Sequence, residues 1–287
     1  MVKFVPDTKT RRWIVVAPRR AFRPFDSKKE KEKVIFRQGY FFAADCPFCP
    51  GNEKMTPPEV FRWKNNHSAS EWLVRVVPNK YPITDIHEVI IHSPDHKKDI
   101  VNLAKEQVEI LLRVFRERSR SLSKNGQVLI FNNQGMAAGP SLSHPHSQIV
   151  VIPKQIKLDV LSLEPMENVV FKTKSLVAYC PEFSQWPYEV WIAKKECFRP
   201  GHEPGCLFQT ISGSDIRELA GLMQKILGRL FKLFPKLAYN FYISPVGCWY
   251  LRIIPRLTER AGFELGTGLH VNVVEPKEAA EALRGKA

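Results

Sequence analysis

The stretch QVLIFNNQGMAAGPSLSHPHSQIVVIP, residues 127–153, reads as strand, loop, strand. QVLIFNN (127–133) and QIVVIP (148–153) carry the aliphatic and aromatic residues of buried strands, and Pro153 closes the second. Between them, residues 135–147 are mostly Gly, Ala, Ser and Pro. Side chains that small let backbone N–H groups come close to an anion. His144 and His146 stand two residues apart. Pro145 keeps the segment extended, so both imidazoles fall on one face.

Working outward, EWLVRVVPN (71–79) and HEVIIHSP (87–94) are strand-like runs ended by Pro. An amphipathic helix follows, with Asp99 as its cap and Ile100, Leu103, Val108, Leu111, Leu112 and Phe115 on its apolar stripe, until Lys124-Asn125-Gly126 ends it. The second half repeats the order. Leu176–Tyr179 and EVWIAKK (189–195) read as strands. A helix with Ser/Asp capping carries Ile216, Leu219, Leu222, Met223, Ile226, Leu230 and Phe234, and YNFYIS (239–244) and YLRIIP (250–255) complete the set. Glu88-Val-Ile-Ile recurs as Glu189-Val-Trp-Ile and Val151-Ile-Pro as Ile253-Ile-Pro, both after about a hundred residues, the mark of one unit used twice. The expected fold is therefore α+β: two related units, each an antiparallel sheet with helices packed on it. Residues 1–45, rich in Arg, Pro and aromatics, read as an extended arm. Residues 46–160 form the first unit and 161–287 the second.

The copies differ where chemistry would sit. His144-Pro145-His146-Ser147-Gln148 in the first is matched by Val246-Gly247-Cys248-Trp249-Tyr250 in the second. A histidine pair needed only for folding would tend to survive in both. The asymmetry points to one chemical site per chain, with the second unit as scaffold.

Composition narrows the classes. With 44% hydrophobic and 25% charged residues, the 287-residue chain has ample material for a core, which excludes disorder and collagen-like repeats. No apolar run reaches the roughly 18 residues of a membrane span. The start, MVKFVPDTKTRRW, has no secretory apolar core, so a cytoplasmic protein is expected. Lys and Arg number 43 against 29 acids, a net charge of +14. That field favours an anionic partner, whether phosphorylated metabolite, nucleic acid or acidic membrane, without choosing among them. KKEKEK (28–33) alternates in sign and reads as a solvated loop.

Six cysteines are too few for a disulfide scaffold. Cys197 and Cys206 flank a Pro/Gly loop and can pair in an oxidising setting, but read more naturally as free thiols. Cys46 and Cys49 form C-P-F-C on a Pro/Gly turn, which presents two thiolates to one ion. With no second C-x-x-C, the remaining ligands are expected among His67, His87, His92, His96 and His144, and sulfur plus imidazole favours zinc. A thioredoxin-like redox pair is the rival, but PGNEKMTPPEV after the motif reads as loop where that fold starts a helix.

A neutral imidazole is a capable nucleophile toward phosphorus and makes a labile P–N bond. H-P-H-x-Q after a small-residue loop, with C-x-x-C upstream and S-P-D-H (93–96) between, resembles the galactose-1-phosphate uridylyltransferases of the histidine-triad superfamily. The likeness runs from DTKTRRWIVVAPRRAFRPF (7–25) to GFELGTGLHVNVV (262–274), and plant-type ADP-glucose phosphorylases look like close relatives. It implies two histidine-triad-like units, a homodimer, and a nucleoside diphosphate sugar and a hexose-1-phosphate as substrates. Cys46, Cys49, His96 and His144 would hold a structural zinc; spacing alone does not separate His96 from His92. His146 would be the nucleophile. Gln148 stands where histidine-triad hydrolases carry another histidine. An amide cannot relay a proton to water, yet can donate to a phosphoryl oxygen, which fits transfer over hydrolysis. Asn133 and Ser141 match phosphate-contacting positions, Arg20 and Arg23 the N-terminal arginines, and Asn79 a base-contacting position. Phe263 and Glu264 match the hexose-holding segment.

Three residues depart from the pattern. Lys80 stands where bacterial-type members carry an acid near the nucleoside, which weakens a uridine assignment. Phe263 replaces a tyrosine. Cys248 replaces a histidine of a second, structural metal site of some members, so no second metal is expected. The reading is exchange of UMP between UDP-glucose and galactose-1-phosphate through a nucleotidyl-histidine. Its rivals are an ADP-sugar phosphorylase with the same nucleophile, a nucleotide hydrolase, and a basic zinc-stabilised nucleic-acid-binding protein. The last has the charge but no recognisable nucleic-acid module.

Overall fold

The computed structural model describes residues 2–6, 13–22, 34–37, 40–64, 72–158, 161, 163, 166–202 and 205–285. Backbone contacts divide the chain into two compact units, residues 1–131 with 140–160, and residues 132–139 with 161–287.

In the first unit, two hairpins occupy the stretch whose composition suggested an extended arm. β1 (Lys3–Pro6) pairs with β2 (Trp13–Val16), and β3 (Val34–Arg37) with β4 (Tyr40–Ala43). β-branched and aromatic residues such as Trp13-Ile-Val-Val supply strand propensity that the arginines and prolines obscure in bulk composition. The unit's main antiparallel sheet is built from β5 (Phe61–Lys64), β6 (Trp72–Pro78), β7 (His87–Ile91), β8 (Gln127–Gln134) and β9 (His146–Ile152). β6 lies between β5 and β7, and β7 pairs with β9, so that Ile91 faces His146 and Val89 faces Gln148. β7 and β9 are buried nearly throughout, their polar residues His87, Glu88, His146, Ser147 and Gln148 included.

Helix α1 (Lys105–Leu122) packs on β6 and buries Val108, Leu111, Leu112 and Phe115. It begins later than the sequence suggested. Asp99 closes a turn of its own instead, with its side chain accepting the Ile100 N–H at 2.6 Å and its carbonyl accepting those of Asn102 and Leu103. Ile100 and Leu103 are buried, but from this turn. Gly126 ends the following 3-10 turn; a side chain there would lie 2.4 Å from the Ile152 carbonyl oxygen, so only glycine lets β8 and the end of β9 approach.

The second unit repeats the plan. β10 (Val169–Lys172), β11 (Leu176–Tyr179), β12 (Val190–Lys194), β13 (Tyr239–Ile243) and β14 (Tyr250–Pro255) form an antiparallel sheet in the order β10-β11-β12-β14-β13. Helix α2 (Gly213–Leu233) starts at Ser212, whose hydroxyl accepts the Asp215 N–H at 3.0 Å. It packs on β11 and on the C-terminal helix. Short helix α3 (Gly262–Thr267) and α4 (Pro276–Arg284) finish the unit. Glu189, at the edge of β12, is fully buried and holds Arg252 through contacts of 2.6 and 2.8 Å, while Trp191 donates to it at 2.6 Å. Among the described residues no helix is long and apolar enough to cross a membrane.

Candidate functional site

The knuckle at residues 46–49 is a tight turn, closed by the Cys49 N–H on the Cys46 carbonyl. Asn52 fixes it from below, its amide donating to the Ala44 and Cys46 carbonyls at 2.7 and 2.8 Å. The Asp95 carboxylate accepts the N–H groups of Phe41, Lys97 and Lys98 and shapes the loop that carries His96. His144 comes from the turn before β9. The four buried donors of Cys46, Cys49, His96 and His144 gather with every ligand atom within 4.8 Å of the others.

The distances within that cluster test whether it suits zinc. A tetrahedral zinc with sulfur at 2.3 Å and nitrogen at about 2.05 Å sets sulfur and nitrogen about 3.6 Å apart. Cys46 Sγ lies 3.7 Å from His144 Nδ1, and Cys49 Sγ lies 3.6 Å from the same nitrogen and 3.4 Å from His96 Nδ1. The far nitrogen of His144 donates to the Ser93 carbonyl at 2.9 Å, which leaves Nδ1 unprotonated and facing the sulfurs. The hydrogen bond from the Cys46 thiol, helped by His144 and His96, holds Cys49 well below the ordinary thiol range although burial pushes it up. Donor types, spacing and tautomer all fit a closed, structural zinc site.

His87 and His92, two other ligand candidates, are engaged elsewhere. His92 is fully buried and meets the Ser147 hydroxyl at 2.7 Å. His67 lies outside the described residues. No α-helix follows the knuckle, only a 3-10 turn at Glu53–Met55, as the loop reading required.

Two residues beyond His144, His146 lines a cavity whose apolar wall includes Phe48, Val77 and Leu142. Phe48 packs edge-on against both imidazoles, with ring centroids 6.0 Å from His144 and 5.2 Å from His146. His146 Nδ1 donates to the His144 carbonyl at 2.8 Å, so the neutral ring carries its lone pair on Nε2. Burial, opposed by that hydrogen bond, lowers the His146 pKa to about 4 and keeps the ring unprotonated at neutral pH.

Gln148 lines the same cavity, and its amide is oriented by a chain of contacts. The Ile83 N–H donates to His87 Nδ1 at 2.9 Å, which places the proton of that ring on Nε2. His87 Nε2 in turn donates to Gln148 Oε1 at 2.9 Å, and Asn79 Nδ2 adds a longer bond of 3.4 Å. With its oxygen engaged, Gln148 has its amide N–H groups to offer an anion. Arg20, Asn79, Lys80 and Ser141 also line the cavity, and Arg20 is tethered to the Tyr81 carbonyl at 3.1 Å.

Thus, of the site residues named from the sequence, Arg20, Asn79, Ser141, His146 and Gln148 line one cavity of the first unit. Arg23 lies outside the described residues. Asn133, Phe263 and Glu264 belong to the second unit: Asn133 accepts from Asn240 at 2.8 Å, Phe263 is exposed on α3, and Glu264 accepts the Ala261 N–H. Sequence reading missed the orienting role of His87 and the double contact of Phe48. The only signals were a histidine opening a strand and an aromatic inside C-x-x-C.

Comparison with known proteins finds relatives along nearly the whole chain. Residues 80–152 match the family model for galactose-1-phosphate uridyl transferase, N-terminal domain. The chain is 26% identical to the ADP-glucose phosphorylase of Arabidopsis thaliana over 97% of its length and 91% of that protein. It is 24% identical to the galactose-1-phosphate uridylyltransferase of Thermotoga maritima over 96% of its length and 95% of that protein. In fold it matches the crystal structure of an ADP-glucose phosphorylase from Arabidopsis thaliana with bound ADP-glucose, at a TM-score of 0.71 and 24% identity over 99% of both chains. Nearly the whole chain is therefore similar to nucleotidyltransferases of the galactose-1-phosphate uridylyltransferase kind.

Proposed function

We propose that this protein transfers a nucleotide between sugar phosphates through a covalent bond to His146, with UDP-glucose as donor and galactose-1-phosphate as acceptor. The observation that carries the reading is the His146 ring itself: it lines the cavity, is neutral by burial, and has Nδ1 committed to the His144 carbonyl. Nε2 attacks the α-phosphorus of the donor. The P–N bond forms as the bond to the leaving hexose-1-phosphate oxygen breaks, and that oxygen keeps the electron pair. The ring gains positive charge in the process, which the His144 carbonyl stabilises through the Nδ1–H it already holds. A phosphate oxygen of the second sugar phosphate then attacks phosphorus, the P–N bond breaks, and His146 returns neutral. No proton has to reach water, in keeping with Gln148 beside the nucleophile.

Gln148 donates to a phosphoryl oxygen with His87 fixing its orientation, and Ser141 and Arg20 are suited to the remaining phosphate oxygens. Cys46, Cys49, His96 and His144 would hold a zinc that ties the knuckle to the strand bearing the nucleophile and takes no part in the chemistry. The family match over residues 80–152 and the two curated relatives support nucleotidyl transfer.

Lys80 in the cavity bears on the nucleobase, since the resemblance implies an acid there. An ADP-sugar reading with the same nucleophile follows from that residue and from the Arabidopsis relative. Turnover of UDP-glucose and ADP-glucose, each with galactose-1-phosphate or inorganic phosphate as acceptor, tests both. Exchange with UDP-glucose and galactose-1-phosphate supports the first reading, while phosphate-dependent cleavage of ADP-glucose alone replaces it with the second. Hydrolysis without acceptor would contradict both.

A further inference from the structure

We infer that His92 is a positioning residue for the nucleophile, a clamp that grips the chain on both sides of His146 from behind the sheet. The inference rests on the nucleotidyl-transfer reading, since it assigns His92 to the step that His146 performs.

Side chains alternate along β9, so His146 and Gln148 face the cavity while Ser147, between them, points the other way. There it meets His92, on the segment after β7, with Nε2 of the ring and the Ser147 hydroxyl 2.7 Å apart. Both residues are wholly buried, and the His92 ring also lies against Phe115 of α1, with centroids 6.4 Å apart. Nδ1 of His92 has no hydrogen-bond partner among the described residues, so a proton there would be a buried donor without an acceptor. The proton therefore sits on Nε2, which donates to Ser147. The His92 backbone takes hold of the next residue as well, its N–H donating to the Pro145 carbonyl at 3.2 Å. Gln107 on α1 secures the clamp. Its amide donates to the carbonyls of His92 and Leu73, each at 2.8 Å, and so ties the end of β7 to β6 and to the helix.

His144 Nε2 donates to the Ser93 carbonyl, so residues 144, 145 and 147 are each bonded to residues 92–93. His146, whose side chain turns to the cavity, is held by these neighbours. The aim of its ring depends on them, because Nδ1 donates to the His144 carbonyl and that carbonyl moves with the peptide joining His144 to Pro145. A buried polar pair is a poor way to gain stability, since replacing both partners by apolar groups of the same shape is close to neutral. What the pair supplies, and an apolar contact does not, is direction. A misplacement of about 1 Å at the reacting atom is enough to slow a reaction about a hundredfold.

The test uses the full chain, rapid quench and steady-state kinetics, with whichever of α-phosphate-labelled UDP-glucose and ADP-glucose the wild type accepts. Ser147→Ala and His92→Phe are each expected to slow labelling of His146 by about ten- to a hundredfold, with the donor KM changed by less than about twofold. His92→Gln, whose amide nitrogen can occupy the place of Nε2, should recover most of the rate. His92→Phe/Ser147→Ala leaves no orphaned polar partner, so its thermal midpoint should exceed that of either single variant while its labelling stays as slow. Recovery of rate together with stability in the double variant would overturn the inference, as would labelling at the wild-type rate in Ser147→Ala. Nitrogen-15 NMR of the His146 ring, identified by its loss in His146→Gly, gives a readout independent of turnover. The wild type should show Nδ1 protonated and Ser147→Ala a mixture of both tautomers; an unchanged Nδ1 tautomer in Ser147→Ala counts against the clamp. A wild type that turns over donor with no label on His146, yet shows the tautomer shift in Ser147→Ala, would sink the covalent reading and leave the clamp standing.

Discussion

His87 has the strongest consequence at the scale of single residues. Burial, with Arg20 and His146 adding to it against the Gln148 hydrogen bond, lowers its pKa from 6.5 to about 4. The unfolded chain therefore takes up the proton first. The stabilisation is complete above pH 6.5 and declines as the pH falls toward 4, by up to about 1.4 kcal/mol per pH unit from this group. Denaturant unfolding across that range should show a shallower decline for His87→Gln than for the wild type, although buried His92 and His146 keep part of the slope in both. Parallel curves would remove His87 from the account. Glu189 makes a second prediction. It is buried and accepts four hydrogen bonds, two from Arg252 and one each from Trp191 and the Gln185 N–H, and Glu189→Ala leaves the Arg252 charge without a counter-charge inside the protein. A loss of about 3–5 kcal/mol in unfolding free energy is expected. The sequence shows this glutamate as half of a repeated motif, but its partner on β14 is visible only once strands pair, because Arg252 is far away along the chain.

At the scale of elements, β9 does most of the positioning. Its register against β7 sets His146 opposite Ile91 and Gln148 opposite Val89, and a slip of one residue would turn both away from the cavity. The knuckle holds the start of that strand through His144. Removing metal with a chelator, or replacing Cys46 with Ser, should lower the thermal midpoint by several degrees while the fraction that stays folded retains its turnover per molecule. A chelated protein that keeps its thermal midpoint but loses turnover would contradict a structural role. Helix α1 gives a simpler case: Phe115 is fully buried, and Phe115→Ala should cost about 3–5 kcal/mol. Periodicity made α1, α2 and the inner strands legible, since each buries one continuous stripe. The start of α1 was not, because Asp99 satisfies local N–H groups in a turn as readily as at a helix end. The hairpins near the N-terminus escaped notice because arginine and proline outnumber the short strand runs between them.

At the scale of the whole molecule, duplication explains both what could be read and what could not. Two copies of one plan revealed the α+β architecture, and the missing histidines of the second copy singled out residues 144–148 as the stretch where the copies differ most in chemistry. The candidate metal donors of the first unit needed more than spacing: five histidines were open, and only the fold brings His96 and His144 to the two sulfurs while His92 meets Ser147. Position 146 remains the centre of the account. Rapid quench of the protein with α-phosphate-labelled UDP-glucose, followed by mass spectrometry of the labelled peptide, tests it most directly. The prediction is label on His146, released by galactose-1-phosphate, with His146→Gly carrying none and losing at least about a thousandfold in turnover. Exchange that proceeds at the wild-type rate with no label on the protein, or label that persists in His146→Gly, would contradict it.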